Sequence, residues 1–131
     1  MTVAPKGRNI KILIMDDEEI VGDIAKQMLV YLGYDVALVK DGKEAVSLYK
    51  SRLSCGDPFH AVIMDLTIPG GMGGKETVGE ILAVDPDAKV VVSSGYSNDP
   101  IMVQCKEYGF SAAIAKPFDL QSLKKIIESL R

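Results

Sequence analysis

The sequence predicts an α/β fold, a doubly wound parallel sheet with helices on both faces. Three observations carry this. Short apolar runs of strand length alternate five times with segments whose apolar residues recur at helical spacing. The first strand-length run is apolar throughout instead of alternating, which suits a strand covered on both sides. The chain has 131 residues and no internal repeat, linker or low-complexity stretch, so one domain with one sizeable core accounts for it.

Each element follows from local chemistry. The first residues, "MTVAPKGR" (1–8), lack the apolar centre of a signal peptide and are read as a flexible polar lead-in to a domain spanning 9–131. "NIKILIM" (9–15) is the first strand. Val21, Ile24, Ala25, Met28 and Leu32 follow at helical spacing, and Gly33 stops that helix. "DVALV" (35–39) is the second strand. Asp41 with Glu44 resembles a capping box, with Ala45, Leu48 and Tyr49 as the apolar stripe behind it. After loop chemistry in "SCGDP" (54–58), "FHAVIM" (59–64) is the third strand. A helix over 75–84 ends before Asp85-Pro86. "AKVVVSS" (88–94) is the fourth strand. Asp99 then caps a fourth helix with Pro100 in its first position, running to Gly109. "AAIA" (112–115) is the fifth strand, and Asp119 opens a last helix with Leu120, Leu123, Ile126, Ile127 and Leu130 on one face.

Composition narrows the function. A formal charge of −3 gives no support for nucleic-acid binding through the domain as a whole. No apolar run approaches the roughly 18 residues of a membrane span, so no membrane contact is expected. Cys55 and Cys105 have no metal-type spacing, and without an export signal they are expected to stay reduced thiols in the cytoplasm.

A doubly wound sheet carries its functional groups at the carboxyl ends of its strands. The first strand ends in Asp16-Asp17-Glu18-Glu19, the third in Asp65, the fourth in Ser93-Ser94 and the fifth in Lys116-Pro117. Converging carboxylates repel one another, and a hard divalent cation with oxygen ligands relieves that repulsion. Mg²⁺ fits best, with Mn²⁺ as a substitute, because it takes one or two carboxylates and leaves room for phosphate oxygens. One carboxylate then remains to act as a nucleophile, with Lys116 and a serine hydroxyl neutralising a phosphoryl group.

The set "MDDEE", "IMDLTIPGGMGG", "VVSSG" and "AKPF" resembles the receiver domain of two-component response regulators, from about Asn9 to Leu130. The resemblance implies a flavodoxin-like five-stranded sheet of order 2-1-3-4-5. It implies that Asp65 accepts a phosphoryl group from a phosphohistidine of a sensor histidine kinase or histidine phosphotransfer protein, the domain catalysing only its own phosphorylation and dephosphorylation. Asp17 matches the direct Mg²⁺ ligand, Asp16 the acid acting through water, and Thr67 the residue whose carbonyl completes the site. Ser94, 22 positions before Lys116, matches the switch hydroxyl. Lys116 matches the phosphate-pairing lysine, and its bond to Pro117 is where the family has a cis peptide. The fourth helix, fifth strand and fifth helix would form the output surface and a homodimer face.

Two departures stand out. The family's aromatic residue three positions before the lysine is Ala113 here, so a signal must leave through backbone shifts. The loop "PGGMGG" is one residue longer than the commonest form, resembling receivers of hybrid sensor histidine kinases. With the chain ending on its last helix, a stand-alone receiver and a fragment of such a kinase are both open. Tyr96, two positions after Ser94, is expected to shield the phosphoaspartate from water.

Other readings bound this one. Glu18 and Glu19 suit an acidic helix start. Ser93 faces the other side of its strand. His60 is an incidental or core histidine, Cys105 is packing, and the methionines fill core. A phosphatase with an aspartyl nucleophile would need a general acid at position 67, where threonine stands. An FMN protein would need a neutral loop where Asp16-Asp17-Glu18 stands. A receiver used only for docking, without phosphorylation, is the third alternative. The glycines after Asp65 lack the G-K-[ST] of a P-loop and are expected to form a small, pliable rim.

Overall fold

The structure, a computed structural model, describes residues 10–96 and 98–130. The 1–8 lead-in therefore lies outside the described residues. The elements are β1 (Lys11–Met15), α1 (Glu19–Tyr31), β2 (Asp35–Val39), α2 (Gly42–Ser54), β3 (Ala61–Asp65), α3 (Gly74–Val84), β4 (Val90–Ser94), α4 (Pro100–Val103), a 3₁₀ turn (Cys105–Tyr108), β5 (Ala112–Ala115) and α5 (Leu120–Ser129). All strand pairs are parallel, in the order β2-β1-β3-β4-β5.

The apolar strands divide their side chains between two cores. Leu13, Met15, Val62, Met64, Val90 and Val92 pack with Val46 and Tyr49 of α2 and Val78 and Ile81 of α3. Ile12, Ile14, Ile63, Val91 and Ile114 pack with Ala25 and Leu29 of α1 and Leu123 and Ile127 of α5. Both faces of the sheet are dry, which is why β1 and β3 show no polar alternation.

The helix punctuation matches the local signals. Asp41 accepts from the Glu44 amide at 3.0 Å, Asp99 from Ile101 at 2.9 Å and Asp119 from Ser122 at 2.7 Å. Gly33 (φ 95°) and Gly109 (φ 98°) take the left-handed stop conformation.

Three expectations change. The third strand begins two residues later than expected and includes Asp65, because Phe59 turns under α2, its ring centroid 6.2 Å from that of Tyr49. The expected helix from Pro100 to Gly109 is one α-turn followed by the 3₁₀ turn, broken at Gln104 (φ −114°, ψ 40°). Met102, Cys105 and Tyr108 all pack on the same core, a three-residue spacing that a helix of three residues per turn keeps in line. The buried residues of α1 are Gly22, Ala25 and Leu29, and Ile24 is exposed; the stripe of Val21 and Ile24 turns to the cleft described next.

Candidate functional site

The parallel register delivers the chemistry to one edge. Met15 pairs with Val39 and Met64, Asp65 with Ser93, and Ser94 with Ala115. The residues that end β1, β3, β4 and β5 therefore emerge side by side. Chain order reverses between β1 and β3, so the crevice opens there, at the switch point of the sheet.

Asp16 and Asp65 are buried, at 4% and 7% exposure, and Asp17 is exposed. One oxygen from each of the three carboxylates lies within 4.8 Å of the others. Lys116 Nζ lies 2.7 Å from Asp16 Oδ2 and 3.2 Å from Asp65 Oδ2. Asp16 Oδ1 accepts from the Glu18 amide at 2.9 Å, and Asp65 Oδ1 faces the Thr67 amide at 3.5 Å. Burial pushes the Asp65 carboxyl up, Lys116 pulls it back and Asp16 repels it further, leaving its pKa raised. Burial opposes the charge on Lys116, but its hydrogen bond to Asp16 and the two carboxylate charges outweigh this and raise its pKa.

Three carboxylates share one ammonium, so the site carries excess negative charge toward a small, oxygen-lined space. That donor set fits a hard divalent cation: Asp16, Asp17 and Asp65 offer carboxylate oxygens within reach of one ion, and Thr67 lines the same cleft. The pairing of Lys116 with Asp16 was not read from the sequence, since spacing alone does not say which acid a lysine meets.

Ser94, Gly95 and Tyr96 line the same cleft as Asp17, Asp65, Thr67 and Lys116. Ser94 Oγ accepts from the Tyr96 amide at 3.0 Å, and among the described residues its hydroxyl proton has no acceptor. Ser93, on the other side of the strand, donates to the Met64 carbonyl at 3.4 Å. Tyr96 stands at the mouth, 75% exposed. Ala113 is half-buried opposite Val92 against the α2–α3 core. The Lys116–Pro117 peptide is cis. Val21, Ile24, Pro69 and Phe118 give the cleft an apolar wall that sequence reasoning missed; Phe118, in "AKPF", was its one visible sign. His60 sits at the opposite edge of the sheet, exposed, its Nδ1 accepting from the Lys11 amide at 3.1 Å. Cys55 is exposed and Cys105 partly buried, both free thiols.

The glycine loop is no pliable rim. Only Gly70 (φ 72°) has the positive φ and open surroundings of a loose turn. A Cβ on Gly73 would stand 2.6 Å from the Leu66 carbonyl oxygen, and one on Gly74 2.9 Å from that of Asp65. The glycines let the loop press against the backbone that carries the acid.

Comparison with known proteins agrees with this geometry. The family model described as the response regulator receiver domain matches residues 12–128. The chain is 31% identical over 121 residues to a chemotaxis protein CheY of Thermotoga maritima, covering 92% of this chain and 93% of that protein. It is also 31% identical over 121 residues to a cyclic di-GMP phosphodiesterase of the same organism, where the match covers 92% of this chain but only 31% of the longer protein. Among solved structures, the receiver domain of a Pseudomonas aeruginosa sensor histidine kinase, with a magnesium ion coordinated in its active-site cleft, superposes with a TM-score of 0.81 at 25% identity over 93% of this chain and 97% of that one. No helix among the described residues is long and apolar enough to cross a membrane. The chain belongs to the response regulator receiver domains, the phosphoacceptor modules of two-component signalling.

Proposed function

We propose that Asp65 is the phosphoacceptor and that its donor is a phosphohistidine of a sensor histidine kinase or histidine phosphotransfer protein. The observation that carries this is Lys116 Nζ lying between the Asp16 and Asp65 carboxylates, with Asp17 completing the acidic set at the sheet's switch point. A carboxylate oxygen of Asp65 forms the new P–O bond as the donor's P–N bond breaks, and the electron pair returns to the imidazole, which takes up a proton. Lys116 pairs with the phosphoryl oxygens, and the hydroxyl proton of Ser94 is donated to one of them. Mg²⁺ or Mn²⁺ held by Asp17, Asp65, the Thr67 carbonyl and, through water, Asp16 would neutralise phosphoryl charge. With such a metal site the domain would catalyse only its own phosphorylation and dephosphorylation.

Ile24 and Phe118 beside the cleft give a phosphohistidine-bearing partner an apolar edge to dock on. The surface of α4, β5 and α5 is the proposed output and homodimer face; Val103 on it is 67% exposed. A cytoplasmic domain with no nucleic-acid contact of its own fits the charge of −3. Labelling with acetyl phosphate and Mg²⁺ tests the central claim: incorporation is expected in the wild-type chain and none in Asp65→Asn. Persistent labelling of that variant removes Asp65 from the role.

A further inference from the structure

The buried polar side chains among the described residues are Asp16, Asp65, Ser93, Ser94 and Thr77. Asp16 follows β1, Asp65 and Ser94 end β3 and β4, and Ser93 precedes Ser94 on the other face; Thr77 lies in the first turn of α3 and has no part in the chemistry. Its hydroxyl donates to the Gly73 carbonyl at 2.6 Å, which also accepts the Thr77 amide at 3.0 Å. A helical threonine bonding back four residues is common by itself. Here α2 arrives on top of it. A Cβ on Gly42, the first residue of α2, would stand 1.9 Å from Thr77 Oγ1 and 2.8 Å from the Met72 carbonyl oxygen. The Gly42 amide donates to that same carbonyl at 2.8 Å. Two helices thus hold consecutive carbonyls of the glycine loop.

The other side of the loop grips the acceptor strand. The Gly74 amide donates to the Leu66 carbonyl at 3.0 Å and the Gly71 amide to the Ile68 carbonyl at 3.1 Å, so the backbone is captured on both sides of Thr67. The Leu66 amide donates to the Ser93 carbonyl at 2.9 Å, tying the same segment to β4. A displacement of Gly73 therefore reaches the Thr67 peptide with few soft joints between.

We propose that Thr77, with Gly42 packed against it, is a positioning residue: through residues 70–74 it holds the Thr67 carbonyl in place and so sets the affinity of the acidic site for its divalent cation. This rests on the reading of that site given above. The test compares Thr77→Val, which keeps the shape and removes the hydroxyl, with Thr77→Ser, which keeps the hydroxyl. Mg²⁺ affinity is measured by calorimetry well below the melting temperature, with amide hydrogen exchange alongside. Thr77→Val is expected to weaken Mg²⁺ binding about 10-fold and to speed exchange in residues 71–74, leaving α1 and α5 unchanged, while Thr77→Ser stays near wild type. Wild-type Mg²⁺ affinity in a Thr77→Val chain that merely melts lower would overturn the proposal. If Thr77→Val does not fold, Met72→Ala loosens the contact with α2 at a half-buried site; it must also weaken Mg²⁺ binding, and unchanged affinity there overturns the proposal. Absence of Asp65 labelling in the wild-type chain would remove the acceptor reading alone, because the Mg²⁺ affinities still decide the role of Thr77.

Discussion

The two sides of the cleft are built differently. On the acceptor side, the loop from Leu66 to Gly74 is held by its own amides, by Thr77 and by the start of α2, and a Cβ on Gly73 would collide with backbone. On the Ser94 side, a Cβ on Gly95 would meet nothing within 4 Å, Tyr96 is exposed, α4 is a single turn and Ala113 is a small, half-buried side chain. The contrast separates two needs. Phosphoryl transfer gains from donors and ligands fixed before the reaction, whereas a signal has to leave through groups that can take more than one arrangement. The fixed elements cluster around Asp65, and the open space lies beyond Ser94.

Removing the cation of the site is expected to have the largest effect on stability. Lys116→Met leaves buried Asp16 and Asp65 facing each other uncompensated, and in Mg²⁺-free buffer this should cost about 3 kcal/mol in urea unfolding. Saturating Mg²⁺ should recover part of that loss. A loss below about 0.5 kcal/mol would mean that the carboxylates do not depend on the lysine. A paired glycine experiment reads the two sides directly. Gly73→Ala should cost about 2 kcal/mol, and Gly95→Ala should stay within about 0.5 kcal/mol. Equal costs in denaturant melts would erase the contrast drawn above.

Tyr96 probes the open side by kinetics. Tyr96→Ala should shorten the phosphoaspartate lifetime severalfold in a hydrolysis time course, by letting water reach the phosphoryl group. An unchanged or longer lifetime would remove Tyr96 from the shielding role. The smallest effect lies away from both sides, at the start of α5. Hydrogen bonds from the Ser122 amide and then its side chain lower the Asp119 pKa. A carboxyl whose folded pKa is depressed stabilises above its unfolded pKa and loses that contribution as pH falls through the folded one. The wild-type urea midpoint should therefore fall from about pH 4 downward, and Asp119→Asn should flatten that part of the profile slightly. Identical profiles for the two chains would show that the cap carries no pH dependence.

Much of this was legible from sequence because it is written in short-range chemistry. Asp41, Asp99 and Asp119 cap the helices they precede, and Gly33 and Gly109 end the preceding elements with positive φ. Apolar runs marked the strands, and Asp65, Ser94 and Lys116 reach one cleft because parallel strands end at one edge. The misses share a different origin. The face of α1 was misjudged because Val21 and Ile24 are apolar whether they meet a core or a cleft. The fourth helix was read as continuous because nothing local marks Gln104, where the backbone leaves the α conformation while Met102, Cys105 and Tyr108 stay on one core.

By itself, then, the order of apolar runs and caps determined the alternating parallel α/β fold, because each depends on periodicity or on neighbours a few positions apart, while the strand order and the family came from the resemblance of four separated motifs. Only the tertiary structure decided that Lys116 lies closer to Asp16 than to Asp65. It also decided that the glycines after Asp65 make a tight joint and not a slack one. Both depend on contacts between segments distant in sequence, whose distances are settled when the strands and helices pack.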